Sequence, residues 1–298
     1  MKVIVRTTDT SESAAIAALL NAHSEALYGE TDLAEAAVRE WFSHDDIAIR
    51  LGEVGGVAVC YGDLGASDGG ARAELDVREH PEHPGSSRAM LVELERLAVE
   101  RGFGAVRAYA LSEDASLLGV LAERRYRPIR HSFRMLISLD AAIPEPQWPE
   151  GIVVRTVAEG EERQTHAADQ DAFRDHWDFE PRPYERWARW TFESERFDRS
   201  LNFLALDGAQ IAGVCLCSIH FSGDPTHGWV GSLGVRPPWR RRGLGLALLQ
   251  HAFREFRGRG CDRVGLGVDG QSTTGALELY ERAGMHVARR TDALEKSL

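Results

Sequence analysis

The sequence predicts a mixed α/β fold laid down twice, as two tandem domains that are each a mixed, mostly antiparallel sheet flanked by helices. Two observations carry this. The chain repeats itself at a constant offset of 158 residues, LDVREHPEHPG (Leu75–Gly85) aligning with LGVRPPWRRRG (Leu233–Gly243). Ala89, Leu91, Arg96, Arg101, Gly102 and Val106 then match Ala247, Leu249, Arg254, Arg259, Gly260 and Val264 without a gap. VIVRT at 3–7 is echoed by IVVRT at 152–156, and VLAERRY at 120–126 by LYERAGM at 279–285 after one residue of slip. Within each copy, runs of strand period alternate with stretches of period 3.6. The seam is IPEPQWPEG (143–151), where three prolines and a glycine interrupt both periods. The domains are therefore placed at 1–145 and 150–298.

The second copy reads, in order, as a strand at 152–156, helices near 159–175 and 183–194, and strands at 201–206, 211–221 and 228–235. A helix over 243–258, a strand at 262–268, a helix over 273–283 and a last strand near 286–291 complete it. In the strand 211–221, the two-residue spacing of Cys215 and Cys217 turns both thiols to one face. In the helix 243–258, Leu244, Leu248 and Ala252, flanked by Leu249, Phe253 and Phe256, make an apolar stripe.

Bulk composition narrows the function. A chain of 298 residues with 43% hydrophobic and 27% charged side chains has an ordinary globular make-up. No apolar run approaches the ~20 residues of a membrane-spanning helix. MKVIVRTTDT reads as a first strand rather than a leader, so a cytoplasmic protein is expected. The four cysteines, Cys60, Cys215, Cys217 and Cys261, form no C-x-x-C pair and no metal pattern, so they are read as packed thiols and no metal is expected. The formal net charge of −11 argues against nucleic-acid and anionic-membrane partners. Residues 1–149 carry 15 basic and 24 acidic side chains, whereas residues 150–298 carry 20 and 22. The basic knot Arg240-Arg241-Arg242 therefore stands out in a near-neutral half, and it points to one small anionic ligand.

That knot lies in a strand-to-helix loop. The first N–H groups of the helix that follows lack intrahelical partners, and its N-terminus carries partial positive charge. With glycines at 243 and 245 and guanidinium groups alongside, the loop suits a phosphate or pyrophosphate. The competing reading is a solvated arginine run at a helix end. No lysine follows Gly245 as a Walker A loop needs, and Leu248 stands where a dinucleotide fingerprint needs a third glycine.

The spacing R-x-x-G-x-G from Arg240 to Gly245 resembles the pyrophosphate-binding motif of the GCN5-related N-acetyltransferase (GNAT) family. VGLGVD (264–269) and GALELYERAGM (275–285) follow in that family's order, and the whole chain resembles its tandem type. The resemblance implies acetyl-CoA as co-substrate and direct transfer of acetyl to an amine. It places Leu233, Gly234 and Val235 along the acetyl-pantetheine arm, where the sheet splays and a main-chain N–H near Val235 holds the developing oxyanion. It places Arg240, Arg241, Arg242, Gly243, Leu244 and Gly245 on the pyrophosphate. Tyr280 matches the tyrosine that protonates the departing thiolate, and otherwise reads as a packed core residue. Where relatives often carry an asparagine, this chain has QSTTG, with Ser272 the nearest match.

The acceptor side is less legible. The strand GWVGSLGV carries no acid to serve as base. His220, Asp224 and His227 bracket the preceding turn, and Asp175, His176, Trp177 and Asp178 lie between the first two helices, which shape the acceptor pocket in GNATs. The aromatics Trp177, Phe179, Tyr184, Trp187 and Trp190 among carboxylates suit a cationic or sugar-like amine. They fit equally an amphipathic helix pair covering the sheet. In the first copy Glu82 replaces Arg240, Leu121 replaces Tyr280, and Pro81 and Pro84 remove donors, so that domain is expected to serve architecture or to close the pocket. The reading is an N-acetyltransferase for a small-molecule primary amine, acting as monomer or homodimer. Protein-lysine acetylation and a non-catalytic acyl-CoA sensor are the alternatives.

Overall fold

Alternating β-branched and polar residues start the chain as an extended strand, β1 (Ile4–Thr7), before the helices α1 (Ser13–Tyr28) and α2 (Glu35–Trp41). The strands β2 (Ala48–Val54), β3 (Val57–Ala66) and β4 (Ala73–Glu79) follow, then α3 (Ser87–Glu100), β5 (Ala105–Leu111), α4 (Ala115–Glu123) and β6 (Arg127–Ser138). The second copy runs β7 (Ile152–Thr156), α5 (Glu162–Phe173), α6 (Tyr184–Trp190), β8 (Phe197–Asp207), β9 (Gln210–Ser218) and β10 (His227–Val235). It ends with α7 (Leu244–Gly258), β11 (Arg263–Asp269), α8 (Ala276–Arg282) and β12 (His286–Ser297). This computed structural model describes residues 2–31, 33–44, 46–194, 197–219, 223–272 and 274–298.

The element order expected from the sequence is the one found. α8 starts at Ala276 rather than 273 because Gly275 adopts a left-handed φ of 76° at its N-cap, which helical geometry excludes. The buried face of α7 is Leu244, Ala247, Leu248, Leu249, Ala252, Phe253 and Phe256, the stripe read from the sequence. It packs on one face of β9 and β10 with Cys215, Cys217 and Val230, and the cysteines are free thiols.

The chain divides into two compact units, Met1–Ser132 with Arg290–Leu298, and Phe133–Arg289. In the first unit β1 to β4 are antiparallel neighbours, β4 and β5 are parallel, and β12 adds antiparallel to β5 from Thr291 opposite Leu111 to Ser297 opposite Ala105. In the second, β7 to β10 are antiparallel, β10 and β11 are parallel, and β11 neighbours β6. Met135 and Leu139 join that unit's core, and Leu139 N–H donates to Asp262 O at 2.7 Å. The last strands of the two copies are thus exchanged. The proline-rich seam divides the sequence repeats, while compactness divides the chain inside β6. Like strands from like repeats offer the same edge, so the local sequence leaves the choice between them open.

In the first unit the N-terminus of α3 is filled from within. The Glu79 carboxylate, at the end of β4, accepts from Ser87 N–H at 2.9 Å and from the Ser116 hydroxyl. Burial opposes its ionisation, but the hydrogen bonds from Ser116 and Ser87 outweigh that and hold the carboxyl below its ordinary range.

Two outcomes are expected. Leu294→Ala, at a β12 position that is 3% exposed, should cost about 2–5 kcal/mol. Hydrogen exchange should place the loss in β5 of the first unit. Glu79→Gln should cost about 1–3 kcal/mol at neutral pH. Since the folded carboxyl lies below its unfolded value of about 4.3, its stabilisation is present above that value and lost as pH falls through the folded one. Urea unfolding should therefore show a shallower acid loss in the variant than in the wild type.

Candidate active site in the second unit

The site is built on β10. Its first half pairs with β11, from His227 opposite Arg263 to Val230 opposite Leu266. A bulge then falls between Val230 and Ser232, and the pairing with β11 stops although β11 continues to Asp269. Arg236 N–H donates to Ala212 O at 2.9 Å. Bonded and non-bonded pairs alternate in an antiparallel ladder, so Gly234 also faces β9, and the amides of Leu233 and Val235 turn to the side that β11 has left. This is the splay that the sequence resemblance implied.

Gly234 is required for a reason the sequence did not show. A side chain there would stand 2.7 Å from Ala172 Cβ and 3.1 Å from Phe173 Cε2. The close approach is that of α5, seated on the strand.

After β10 the chain turns through Pro237–Trp239, and Trp239 is buried with its indole N–H donating to Asp207 at 2.8 Å. Arg241 and Gly243 take left-handed φ values of 62° and 83°, and α7 begins at Leu244. Gly243 brings no capping side chain, and the amides of Gly243, Leu244, Gly245 and Leu246 have no acceptor among the described residues. Nothing stands within 4 Å of a Cβ at Gly243, whereas one at Gly245 would meet Leu279 at 3.0 Å. The first glycine thus keeps the helix end open, and the second lets α8 pack on α7. A bare, unfilled helix start of this kind fits a phosphate group.

The three arginines do different things. The Arg240 guanidinium donates to Asp175 at 2.6 Å, to Val235 O at 3.0 Å and to Ala172 O at 3.0 Å. Arg236 pairs with Asp171 at 2.7 Å. Two arginines four residues apart therefore clasp two aspartates four residues apart, beside the carbonyl-rich end of α5. Arg241 reaches toward Gly275, its Nη1 3.9 Å from where a Cβ would stand. Arg242 donates to Glu150 O at 3.3 Å. Ser272, in the same loop as Gly275, shares a 2.8 Å hydrogen bond with the Thr274 hydroxyl.

Tyr280 is 8% exposed and is the buried residue of α8. Burial, then the neighbouring Cys215, pushes its phenol up to about 12. Cys215 stands opposite Leu233 in the ladder, which sets Tyr280 at the level of the splay on the α7 side. Its hydroxyl makes no hydrogen bond to the described residues and is not fully enclosed.

The other face of β10 meets α5. The bulge brings Trp229, opposite Ser218, and Ser232, opposite Leu216, onto this one face together with Gly234. The Ser232 hydroxyl donates to Asp169 Oδ1, and the Trp187 indole N–H donates to Oδ2 at 3.1 Å. Asp169 is 6% exposed, and burial pushes its carboxyl up against the pull of those two bonds. His176 stacks edge-on against Phe173 at 4.7 Å. Burial lowers its pKa, while the Asp269 carboxylate at the end of β11 opposes this. Trp229 lies across Gly265, where a Cβ would be 2.8 Å from its ring.

Of the acceptor residues expected from sequence, His176 is brought to the splay. Asp175 is engaged by Arg240, and Trp177 is 44% exposed. His227 lies at the opposite, paired end of β10, pushed down to about 4 by burial and then by Arg263. His220 lies outside the described residues. Sequence reasoning missed Asp169 and Ser232. Their signal was a lone acid within the buried α5 stripe of Thr165, Ala168 and Ala172, and a lone hydroxyl in an apolar strand.

Comparison with known proteins bears on this arrangement. Residues 163–285, which span α5 to α8, match the family model described as acetyltransferase (GNAT) family. The chain is 32% identical over 240 residues to the mycothiol acetyltransferase of Salinispora arenicola (strain CNS-205), covering 77% of this chain and 75% of that one. It superposes on the crystal structure of a GCN5-related N-acetyltransferase from Sphaerobacter thermophilus with a TM-score of 0.83 and 33% identity, covering 99% of this chain and 95% of that one. A tandem GNAT protein from the clavulanic acid biosynthesis pathway shares the fold at a TM-score of 0.80 and 16% identity, with coverage of 99% and 98%. With its splayed β10 and open α7 start, the chain belongs to the GNAT family, and it is an N-acetyltransferase of the tandem type.

Proposed function

We propose that the second unit moves an acetyl group from acetyl-CoA to a primary amine of a small molecule by direct attack. The observation that carries this reading is the continuity of inward-turned amides at Leu233 and Val235 with the unfilled start of α7. Acetyl-CoA supplies the acetyl thioester. The amides of residues 243–246 hold its pyrophosphate, and Arg241 and Arg242 add positive charge around them. Arg240 acts indirectly, fixing the loop by clasping Asp175 and the Val235 and Ala172 carbonyls.

The Val235 N–H donates to the acetyl carbonyl, and its bond strengthens as negative charge develops there. Tyr280 gives its phenol proton to the departing sulfur. A phenol raised by burial stays protonated across the range where the amine loses its proton, so the donor is loaded when attack occurs. The same dry surroundings raise the basicity of a thiolate beside it, which keeps the two partners matched. The mycothiol acetyltransferase relatives support a small molecule as acceptor. The first unit, with Glu79 on the start of α3, is proposed to leave cofactor binding to the second.

Two measurements test this. Acetyl-CoA at a hundredfold excess over its Kd should stabilise the wild type by about 2.7 kcal/mol in a thermal shift. Gly243→Asp, which sets a carboxylate on the helix start, should fold and lose that shift; an unshifted wild type would refute the cofactor reading. Tyr280→Phe should lower kcat by about a hundredfold with little change in the KM for acetyl-CoA, and unchanged turnover would remove the proposed acid.

A further inference from the structure

We infer that Ser232 and Asp169 form the relay that takes the proton from the acceptor amine, with Ser232 touching the nitrogen and Asp169 receiving the proton through it. This inference rests on the acetyl transfer proposed above. An ammonium must shed a proton before its nitrogen can attack, and β10 itself offers no acid or base beside the splay.

The two residues are 63 positions apart and meet because α5 sits so close to β10. The Gly234–Ala172 contact sets that distance. One helical step before Ala172 stands Asp169, and two strand positions before Gly234 stands Ser232, so the same seating brings carboxylate and hydroxyl together. Trp187 holds Oδ2, which leaves Oδ1 for Ser232. With its own proton pointed at Asp169, the Ser232 oxygen keeps its lone pairs for an incoming N–H. Ser232 is half-buried and directly precedes Leu233, whose amide faces the splay.

The groups facing Asp169 are Ser232 from β10, Trp187 from α6, the neighbouring Gln170 side chain of α5, and Arg182 from the segment before α6, whose charge favours the ionised form. From β9 the apolar side chains of Ile211, Val214 and Leu216 reach this layer. Burial raises the proton affinity of the carboxylate, which improves it as an acceptor from an ammonium.

The proton balance closes. One ammonium proton passes to the Ser232 oxygen as the Ser232 proton passes to Asp169, which later releases it to water. The freed nitrogen pair forms the N–C bond, and the C–S pair leaves with sulfur, which takes the Tyr280 proton. The second proton, shed by nitrogen as the C–S bond breaks, restores the phenol.

The test uses the full chain, following thiol release from acetyl-CoA with the best acceptor among glucosamine, ethanolamine, phenylethylamine and lysine, over a pH series. Asp169→Asn, which keeps an acceptor for Trp187, and Ser232→Ala should each lower kcat/KM about a hundredfold at pH 7. The deficit should close as pH rises past the acceptor's own pKa, and Ser232→Thr should restore activity. Thermal stabilisation by acetyl-CoA should persist in both variants, so a failure here is distinguishable from a failure of the cofactor reading. A deficit that stays constant at high pH would overturn the relay. So would loss of the acid limb in His176→Asn with its retention in Asp169→Asn. Independently of turnover, carboxyl-labelled 13C NMR should show the Asp169 midpoint move in Ser232→Ala, and an unmoved midpoint would also overturn it.

Discussion

The seating of α5 on β10 is the constraint on which the site depends. Gly234 lets the helix approach until Ala172 touches the strand, and a Cβ at 2.7 Å would push it away. The Arg236–Asp171 and Arg240–Asp175 pairs then fasten the end of that helix to the loop that opens α7. The clasp is partly exposed, so its strength lies less in Coulomb energy than in geometry. Arg240 bonds two main-chain carbonyls as well as a carboxylate, which fixes the backbone on either side of the splay.

From that seating follow two chemically distinct faces of one strand. On the α7 face, Leu233 and Val235 join the apolar core, and Tyr280 is pressed toward Cys215. On the α5 face, Ser232, Asp169, Phe173 and His176 gather. The period of two that sends alternate side chains to opposite sides separates Tyr280 from the Ser232–Asp169 pair. The bulge at Val230/Ser232 serves both, since it ends the pairing with β11 and sets Ser232 on the face of Trp229.

The two copies also show how one helix start can be used in opposite ways. In the second, a glycine N-cap without a side chain leaves amides exposed; in the first, Glu79 accepts from the Ser87 amide, and those of Arg88 and Ala89 bond to the Gly85 and Ser86 carbonyls. A carboxylate and a phosphate compete for the same donors, and an internal anion placed there stabilises α3. The substitutions noted from sequence, Glu82 and the two prolines, lie in the same loop, but the residue on the helix start is Glu79.

What the sequence by itself determined was whatever is encoded locally. The repeat, the element order, the apolar face of α7, the paired thiols of β9 and the family motif from Arg240 to Gly245 all rest on short-range periodicity or spacing. Tertiary structure decided the rest. The exchange of β6 and β12 needed it because equivalent strands of a repeat are interchangeable on paper. The work of Arg240 needed it because an arginine reads alike whether it meets a phosphate or clasps Asp175. Asp169 and Ser232 needed it because only the approach of α5 to a glycine brings residues so distant in the chain within hydrogen-bonding reach.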